Sequence, residues 1–321
     1  MPSTEAKLFL GVDGGQSSTT ALIGDAAGRV LGMGRGGPCN HISGPEAITR
    51  FHGAIGGAVA AACSAAGLAP EHRSFHAGCF GFSGGAEDKQ KWVEQMFSFE
   101  HLFVTHDGLI ALAGATGGRP GIIAISGTGS FTFGRNRAGT TARAGGWGYV
   151  FGDEGSGFDI VRQALRAALR MEEGWGPATQ LHHRLLEATS AESANDLLHR
   201  FYTPDWPRSK AARLAPIVSD AALEGDGAAR EIIHGAAQHL ATFVGSVRRQ
   251  LFQTGEPVRV AWIGGVFRGD MLRERFRMLV EMDEATTCAA PEYGPAAGAL
   301  LEAYRIAGVT ATLSNLPEME K

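Results

Sequence analysis

The segment LFLGVDGGQSSTTALIGDAAGRVLG, residues 8–32, predicts the fold at the start of the chain. Its first apolar run is typical of a buried strand, which leaves the core after Val12 through one acid, two glycines and four hydroxyl residues. A second strand follows, and the triplet at residues 26–28 predicts a hairpin into a third strand. The segment therefore predicts three consecutive strands with a polar first turn.

The same pattern returns in GIIAISGTGSFTFGRNRAGTTARAGG, residues 121–146. A strand, a Gly/Ser/Thr turn, a second strand, a hairpin containing Gly139 and a third strand follow in the same order. A repeat of this length predicts two related α/β domains that face one another across a central cleft. We place the boundary at residues 117–118, so that the first domain covers residues 1–117 and the second covers residues 118–293.

Helices dominate the predicted second half, where the apolar residues recur with helical spacing. We expect helices at about 156–171, 178–188, 192–201, 210–223 and 228–251. A strand then ends in WIGGVFRGD, residues 262–270, and is followed by a helix, a short strand at 285–290 and a final helix from Pro295.

The composition argues against several classes of function. The 321 residues are 44% hydrophobic with a net charge of −4, which suits a globular protein without an electrostatic preference for nucleic acid or anionic membranes. The first residues lack the pattern of a signal peptide, so we expect a cytoplasmic protein with no membrane or nucleic-acid partner. The four cysteines form no C-x-x-C pair, which argues against a zinc or iron–sulfur site.

The first polar turn is a candidate phosphate site. Gly14 and Gly15 allow positive φ angles and leave no side chain between the turn and a ligand. Backbone N–H groups, with the hydroxyls of Ser17, Ser18 and Thr19, would form a cradle for an anion. Asp13 would repel a phosphate but can hold Mg²⁺ through water, and the metal then bridges the phosphates. A plain glycine hairpin with a solvated aspartate is the alternative.

Two later glycine turns extend this interpretation. The second turn, SGTGS at residues 126–130, contains Gly127 and Thr128, and a pair of hydroxyl-rich turns suits a nucleoside triphosphate. Gly264 and Gly265 in the third turn could let a purine or ribose lie against the backbone, although a tight strand–helix corner explains them equally well. None of these turns is a G-x-G-x-x-G or Walker A sequence, which disfavours a Rossmann or P-loop site.

Asp107 ends the strand LFVTHD, residues 102–107, just before a helix. A carboxylate in this position can accept the proton of a hydroxyl that attacks a γ-phosphoryl group. A helix N-cap is the alternative role, and the two are compatible.

The segment GGWGYVFGDEGSGFDIV, residues 145–161, suits a sugar. Carboxylates bind hydroxyl groups, and an indole with a flat glycine backbone suits a pyranose ring. The alternative is that Asp153 or Ser156 caps the next helix, which explains only part of the pattern. The loop GGPCNHISG, residues 36–44, adds an amide and an imidazole, for which a simple turn is the alternative. The candidate sugar-binding residues are Asn40, His41, Gly146, Trp147, Gly148, Asp153 and Glu154.

These motifs together resemble the N-acetylglucosamine kinase branch of the BadF/BadG/BcrA/BcrD ATPase family, within the superfamily of actin-like sugar kinases, over about residues 8–305. The resemblance is carried by GVDGGQSSTT, VTHDG, ISGTGS, GGWGYVFGDEGS and IGGVFRGD. It implies an α/β fold of two actin-like (ribonuclease H-like) domains, with a C-terminal helix at about 294–321 packing back on the first domain. It also implies an ATP- and Mg²⁺-dependent amino-sugar kinase that phosphorylates O6, and a homodimer.

The resemblance also implies roles for single residues. Asp107 is the implied catalytic base, Ser17 and Thr128 contact the ATP phosphates, and Gly265 and Gly269 lie beside the nucleoside. The implied sugar site is lined by Asn40, Ser130, Gly146, Trp147, Gly148 and Asp153. Phe131 stands where amino-sugar kinases of the mammalian type have an asparagine that contacts the sugar. Glucosamine, N-acetylglucosamine and N-acetylmuramic acid, or an anhydro form, therefore stay open as substrates.

Two other functions are compatible with the resemblance. One is an ATPase that activates a reductive acyl-CoA enzyme and holds an iron–sulfur cluster through cysteines, although the four cysteines lack the expected spacing. The other is a sugar-binding regulator without activity, against which the presence of Asp107 and of both phosphate turns speaks.

Overall fold

A computed structural model describes residues 7–39, 46–83 and 89–320. The chain divides into two compact units, Met1–Arg119 with Pro291–Lys321, and Pro120–Ala290. Each unit contains one five-stranded mixed sheet flanked by helices. Among the described helices, none is both long enough and apolar enough to cross a membrane.

The sheet of the first unit has the strand order β3-β2-β1-β4-β5. Strands β1–β3 form the predicted antiparallel meander, and β4 and β5 run parallel to β1. The strands are β1 (Leu8–Gly14), β2 (Thr19–Asp25), β3 (Val30–Gly36), β4 (Ser74–Phe82) and β5 (Ser98–His106). The helices of this unit are α1 (Ala47–Ala65), α2 (Lys89–Met96), α3 (Asp107–Ala115) and α12 (Pro295–Ile306).

The central strands β1, β2 and β4 of the first unit are buried on both faces. Apolar residues of α1, including Phe51 and Ile55, pack on one face, and residues of α12, including Leu300 and Tyr304, pack on the other. A Cβ at Gly11 of β1 would overlap the backbone of Leu300, so the close approach of the C-terminal helix requires glycine there. The Tyr304 hydroxyl donates a hydrogen bond to the carbonyl of Asp25 at 2.6 Å, which fastens α12 to the end of β2.

The second unit repeats the topology, with the strand order β10-β9-β6-β7-β8. Strands β6–β8 form the second antiparallel meander, and β9 and β10 are parallel to β6. The strands are β6 (Gly121–Ser126), β7 (Ser130–Arg135), β8 (Thr141–Gly145), β9 (Val258–Ile263) and β10 (Thr286–Ala289). The predicted α/β fold with a duplicated, actin-like strand pattern is confirmed.

The helices of the second unit differ from the prediction in two places. They are α4 (Gly148–Phe151), α5 (Gly157–Glu172), α6 (Gln180–Thr189), α7 (Ala194–Phe201), α8 (Arg208–Ala212), α9 (Ala215–Leu223), α10 (Gly227–Leu251) and α11 (Asp270–Val280). The single helix expected at 210–223 is wrong, because two helices cover this segment and are separated at residues 213–214. Pro216 lies in the first turn of α9, and its missing N–H is tolerated at a helix start but not within one continuous helix. The short helix α4 was not predicted.

Candidate active site

The first polar turn lies later in the chain than its pattern indicates. β1 continues through Asp13 to Gly14, so the turn consists of residues 15–18, closed by a hydrogen bond from the Gly15 N–H to the Ser18 carbonyl at 3.0 Å. Ser17 and Ser18 lie in this turn, with Ser17 exposed. Thr19 is buried and donates its hydroxyl to the carbonyl of Gly37, so it does not belong to the cradle.

Gly14 at the end of β1 and Gly15 at the start of the turn do not have the expected backbone conformation. Neither Gly14 nor Gly15 has a positive φ angle, so that expectation is wrong. A Cβ at Gly14 would overlap the Phe82 ring and lie 2.7 Å from the Cys39 sulfur. Glycine is therefore needed there because β4 and the chain after β3 pack against the end of β1.

The Asp13 carboxyl group has a strongly raised pKa. Burial raises the pKa of Asp13 from its ordinary value of 3.8 to about 7, and the Glu320 and Asp107 carboxylates add smaller increases in that pKa. Negative charge collected in a partly dehydrated place attracts a hard cation, and oxygen ligands are those that Mg²⁺ prefers. A single carboxylate at Asp13 therefore suits the water-mediated contact with Mg²⁺ that the sequence pattern suggested.

Glu320 is a contributor that the sequence did not reveal. Its carboxylate accepts a hydrogen bond from the N–H of Ala297 at 3.0 Å, and it is buried at the N-terminus of α12. A carboxylate at this end of a helix satisfies free N–H groups and interacts favourably with the helix dipole. Pro295 signals the start of the helix, but no local pattern indicates that a residue of the C-terminal tail caps it.

Asp107 begins α3, and both of its carboxylate oxygens have partners. Oδ2 accepts a hydrogen bond from the hydroxyl of Ser83 at 2.7 Å, and Oδ1 accepts one from the N–H of Gly108 at 2.8 Å. The N-cap residue is His106, whose Nδ1 accepts the N–H of Leu109. The alternative role of Asp107 as the helix cap is therefore wrong, and its carboxylate is oriented by Ser83 instead.

The second and third glycine turns meet in the second unit. The carbonyl of Gly127 accepts a hydrogen bond from the N–H of Gly157 at 2.8 Å, which ties the second turn to the start of α5. Gly264 has a φ of 113°, and a Cβ there would overlap the Ser126 carbonyl. Only glycine permits this contact, because an L side chain would be strained in that backbone conformation and would also collide.

A cavity of about 530 Å³ opens beside these turns. This volume lies within the range of small-molecule sites. Four of the predicted ATP-binding residues line the cavity, namely Gly127, Thr128, Gly265 and Gly269. Residues of α8 and α9 also line the cavity, including Ser209 and Ser219, which the sequence did not single out.

The predicted sugar-binding residues of the second unit also come together. Asp153 is buried with a φ of 61°, and its carboxylate oxygens accept hydrogen bonds from the Ser130 N–H at 3.4 Å and from Nη2 of Arg208 at 2.9 Å. The Ser130 hydroxyl donates to the carbonyl of Glu154 at 2.7 Å, and the Ser130 carbonyl accepts the N–H of Gly146. Arg208 is a further site residue for which the sequence carries no signal.

The aromatic part of this segment is open to solvent. Trp147 is 70% exposed, and the Arg143 guanidinium lies 5.3 Å from the centre of its ring. Gly146 and Gly148, on either side, have φ angles of 74° and 76°, which favour glycine. Ser156 caps α5 by accepting the N–H of Asp159 at 3.1 Å, so Asp153 is not needed as a cap.

The comparison with protein families decides the classification. The model of the BadF/BadG/BcrA/BcrD ATPase family matches residues 10–303. The chain belongs to the BadF/BadG/BcrA/BcrD ATPase family.

Relatives of this BadF/BadG/BcrA/BcrD-family ATPase are sugar kinases. An N-acetylmuramic acid/N-acetylglucosamine kinase of Clostridium acetobutylicum is 33% identical over 284 residues, which cover 86% of this chain and 91% of that protein. An N-acetyl-D-glucosamine kinase of Dictyostelium discoideum is 30% identical over 269 residues, which cover 76% and 80%. A solved structure from Chromobacterium violaceum, provisionally named an N-acetylglucosamine kinase, aligns with a TM-score of 0.70 and 28% identity over 92% of this chain and 98% of that one.

Two predicted site residues of this BadF/BadG/BcrA/BcrD-family member, Asn40 and His41, lie outside the described residues. Three groups of the remaining candidates come together, each within one unit. Asp13 and Asp107 interact in the first unit, one set of glycines and Thr128 lines the cavity of the second, and Ser130, Gly146 and Asp153 are hydrogen-bonded together.

Proposed function

We propose that this member of the BadF/BadG/BcrA/BcrD ATPase family is an ATP-dependent amino-sugar kinase, which transfers the γ-phosphoryl group of ATP to the O6 hydroxyl. The observation that carries the proposal is the Asp107 carboxylate, which begins α3 without capping it and is oriented by the Ser83 hydroxyl at 2.7 Å. A fixed carboxylate suits a general base that accepts the proton of an attacking alcohol. The amino-sugar kinases among its relatives support the substrate class.

The chemistry of the glycine turns supports ATP as the phosphoryl donor. The cavity beside Gly265 and Gly269 suits a nucleoside, and the Thr128 hydroxyl suits a phosphate. The turn at residues 15–18 of the first unit offers serine hydroxyls of the same chemistry. Asp13 would hold Mg²⁺ through water, and the metal would supply positive charge to the phosphates. Loss of that metal would leave the charges of ATP and of the nearby carboxylates uncompensated.

We infer that the sugar binds at the hydrogen-bonded group around Ser130 and Asp153, next to the exposed indole of Trp147. Carboxylate and hydroxyl groups recognise sugar alcohols, and an indole packs against the apolar face of a pyranose. Glu154 belongs to the same group through its carbonyl. Asn40 and His41 stay predicted contacts of the sugar. The homodimer is a prediction that light scattering would test, and the cytoplasmic location is one that cell fractionation would test.

The iron–sulfur alternative is disfavoured by the state of the cysteines. Cys39, Cys63, Cys79 and Cys288 are all buried. Burial raises the pKa of the Cys39 and Cys63 thiols and raises that of Cys288 to about 12. A cluster needs thiolate ligands that iron can reach, and burial opposes both ionisation of these thiols and access to them.

The experiment that tests the kinase is a coupled ADP-release assay with glucosamine, N-acetylglucosamine and N-acetylmuramic acid. Product analysis by NMR reports which hydroxyl carries the phosphate. Asp107→Asn is expected to lower kcat by at least ~100-fold, the size of a general-base contribution, while calorimetry shows ATP binding little changed. An unchanged kcat would refute the role of Asp107, and binding of sugar without turnover in the wild-type protein would favour the regulator instead.

A further inference from the structure

The Arg208 guanidinium is held in place before any substrate binds. Arg208 opens α8, and its Nη2 donates to the buried Asp153 carboxylate at 2.9 Å. Its guanidinium carbon lies 4.7 Å from the centre of the Tyr149 ring and 5.7 Å from that of Phe158. Stacking on aromatic rings and an ion pair restrict a long side chain, so little further conformational entropy is lost when it binds a ligand.

Much of the hydrogen-bonding capacity of this guanidinium is unused. An arginine has five N–H donors. Within the part of the chain that the structure describes, Arg208 makes one hydrogen bond, to Asp153, and its Nε–H is enclosed without a partner. The side chain is 37% exposed, so a second anionic group can reach it. A planar fork of this kind binds a carboxylate through two parallel N–H bonds, and one arginine can bridge two carboxylates.

The surroundings favour a carboxylate on the sugar over a phosphate of the nucleotide. Arg208 is bonded to Asp153, which belongs to the candidate sugar site and not to the wall of the nucleotide cavity. The neighbouring helix α4 exposes Val150 by 64% and Phe151 by 85%, and this apolar surface suits alkyl groups. The phosphates of the nucleotide, in contrast, are expected to bind the backbone and hydroxyl groups of the glycine turns.

We propose that Arg208 recognises a carboxylate substituent on the amino sugar, so that the protein prefers an acidic amino sugar over a neutral one. This inference rests on the proposed kinase function and names its substrate class. The 3-O-lactyl ether of N-acetylmuramic acid is such a substituent: it joins a carboxylate to a short alkyl group. Arg208 determines specificity for it through one charged, two-pronged contact, while Asp153 keeps its other oxygen on the Ser130 N–H.

The test compares three substrates that differ only in this substituent. They are N-acetylmuramic acid, its lactyl carboxamide, which has the same size without the charge, and N-acetylglucosamine, which lacks the group. We expect kcat/KM of the wild-type protein to be about 10- to 100-fold higher for the acid than for the amide, the range of a charged hydrogen-bonded pair. Equal values for the acid and the amide would overturn the proposal, and this comparison needs no variant.

The variant Arg208→Met should remove the preference. Its ratio of acid to amide should fall to about one, because activity on the acid falls by a larger factor than activity on the amide. The smaller loss on the amide and on N-acetylglucosamine follows from Asp153 losing a partner. The matched control is Arg166→Met, an exposed arginine on α5, which should keep the wild-type ratio. A preference that survives in Arg208→Met would sink the proposal, and equal losses on all three sugars would assign Arg208 to positioning Asp153 alone. Wild-type turnover of N-acetylglucosamine without a preference defeats only this inference, whereas turnover of no amino sugar defeats the proposed function.

Discussion

Replacing Asp13 by asparagine should stabilise the protein while it impairs catalysis. Burial, and then the Glu320 and Asp107 carboxylates, raise the pKa of Asp13 from 3.8 to about 7. The unfolded chain loses this proton near pH 4, whereas the folded chain keeps it until about pH 7. The folded state therefore binds more protons in this interval, and the free energy of unfolding falls as pH rises through it. Asparagine has no charge to bury and escapes this loss.

The size of the effect follows from the two pKa values. One pKa unit corresponds to about 1.36 kcal/mol, so the rise from 3.8 to about 7 amounts to at most about 4 kcal/mol at pH 8. At pH 5 the destabilisation has accumulated only between pH 3.8 and pH 5, which amounts to about 1.6 kcal/mol. The stability advantage of Asp13→Asn should therefore grow by about 3 kcal/mol between pH 5 and pH 8. For a chain of 321 residues a gain of about 4 kcal/mol raises Tm by roughly 6 °C, since the entropy of unfolding scales with chain length.

The assay is thermal unfolding of both proteins at pH 5 and pH 8, without Mg²⁺ and nucleotide, with kcat measured in parallel. Asp270→Asn is the matched control, since that side chain is 74% exposed and has no buried charge to relieve. We expect Asp13→Asn to raise Tm more at pH 8 than at pH 5, to lose the stabilisation that Mg²⁺–ATP gives the wild-type protein, and to turn over poorly. A Tm difference that is the same at both pH values would refute the reasoning, because it would mean that Asp13 ionises normally.

Three further predictions concern neighbouring parts of the site. Ser83→Ala should lower kcat by about 10-fold or more with an unchanged KM for ATP, since it removes a charged hydrogen bond that orients Asp107; a normal kcat in steady-state kinetics would contradict this. Glu320→Gln removes a negative charge that raises the pKa of Asp13, so Asp13 should ionise at lower pH. Because ionised Asp13 is needed to hold Mg²⁺, the acidic limb of the pH–kcat profile should move to lower pH, and a shift to higher pH would count against this role. Gly264→Ala should abolish ATP binding in calorimetry, because its φ of 113° and a backbone carbonyl exclude a Cβ, and ATP binding of wild-type strength would be inconsistent with this.

Much of the fold was predictable from local pattern. Apolar runs interrupted by glycine and hydroxyl residues marked the strand ends, and their repetition predicted two units with the same strand order. The break between α8 and α9 was missed because the helical periodicity continues across it, and only the position of Pro216 in the first turn of α9 separates them. The positive φ angles expected at Gly14 and Gly15 were wrong because a glycine in a turn motif can serve packing instead of backbone conformation.

The sequence by itself determined the duplicated α/β pattern, the polar glycine turns and the place of Asp107 at the start of a helix, because each depends on residues that are near one another in the chain. Only the tertiary structure decided which partners surround those groups. Ser83 beside Asp107, Arg208 beside Asp153 and Glu320 at the start of α12 are pairs separated by 24, 55 and 23 residues. No local periodicity encodes such pairs, since they form only when strands and helices pack and bring distant side chains to the same place.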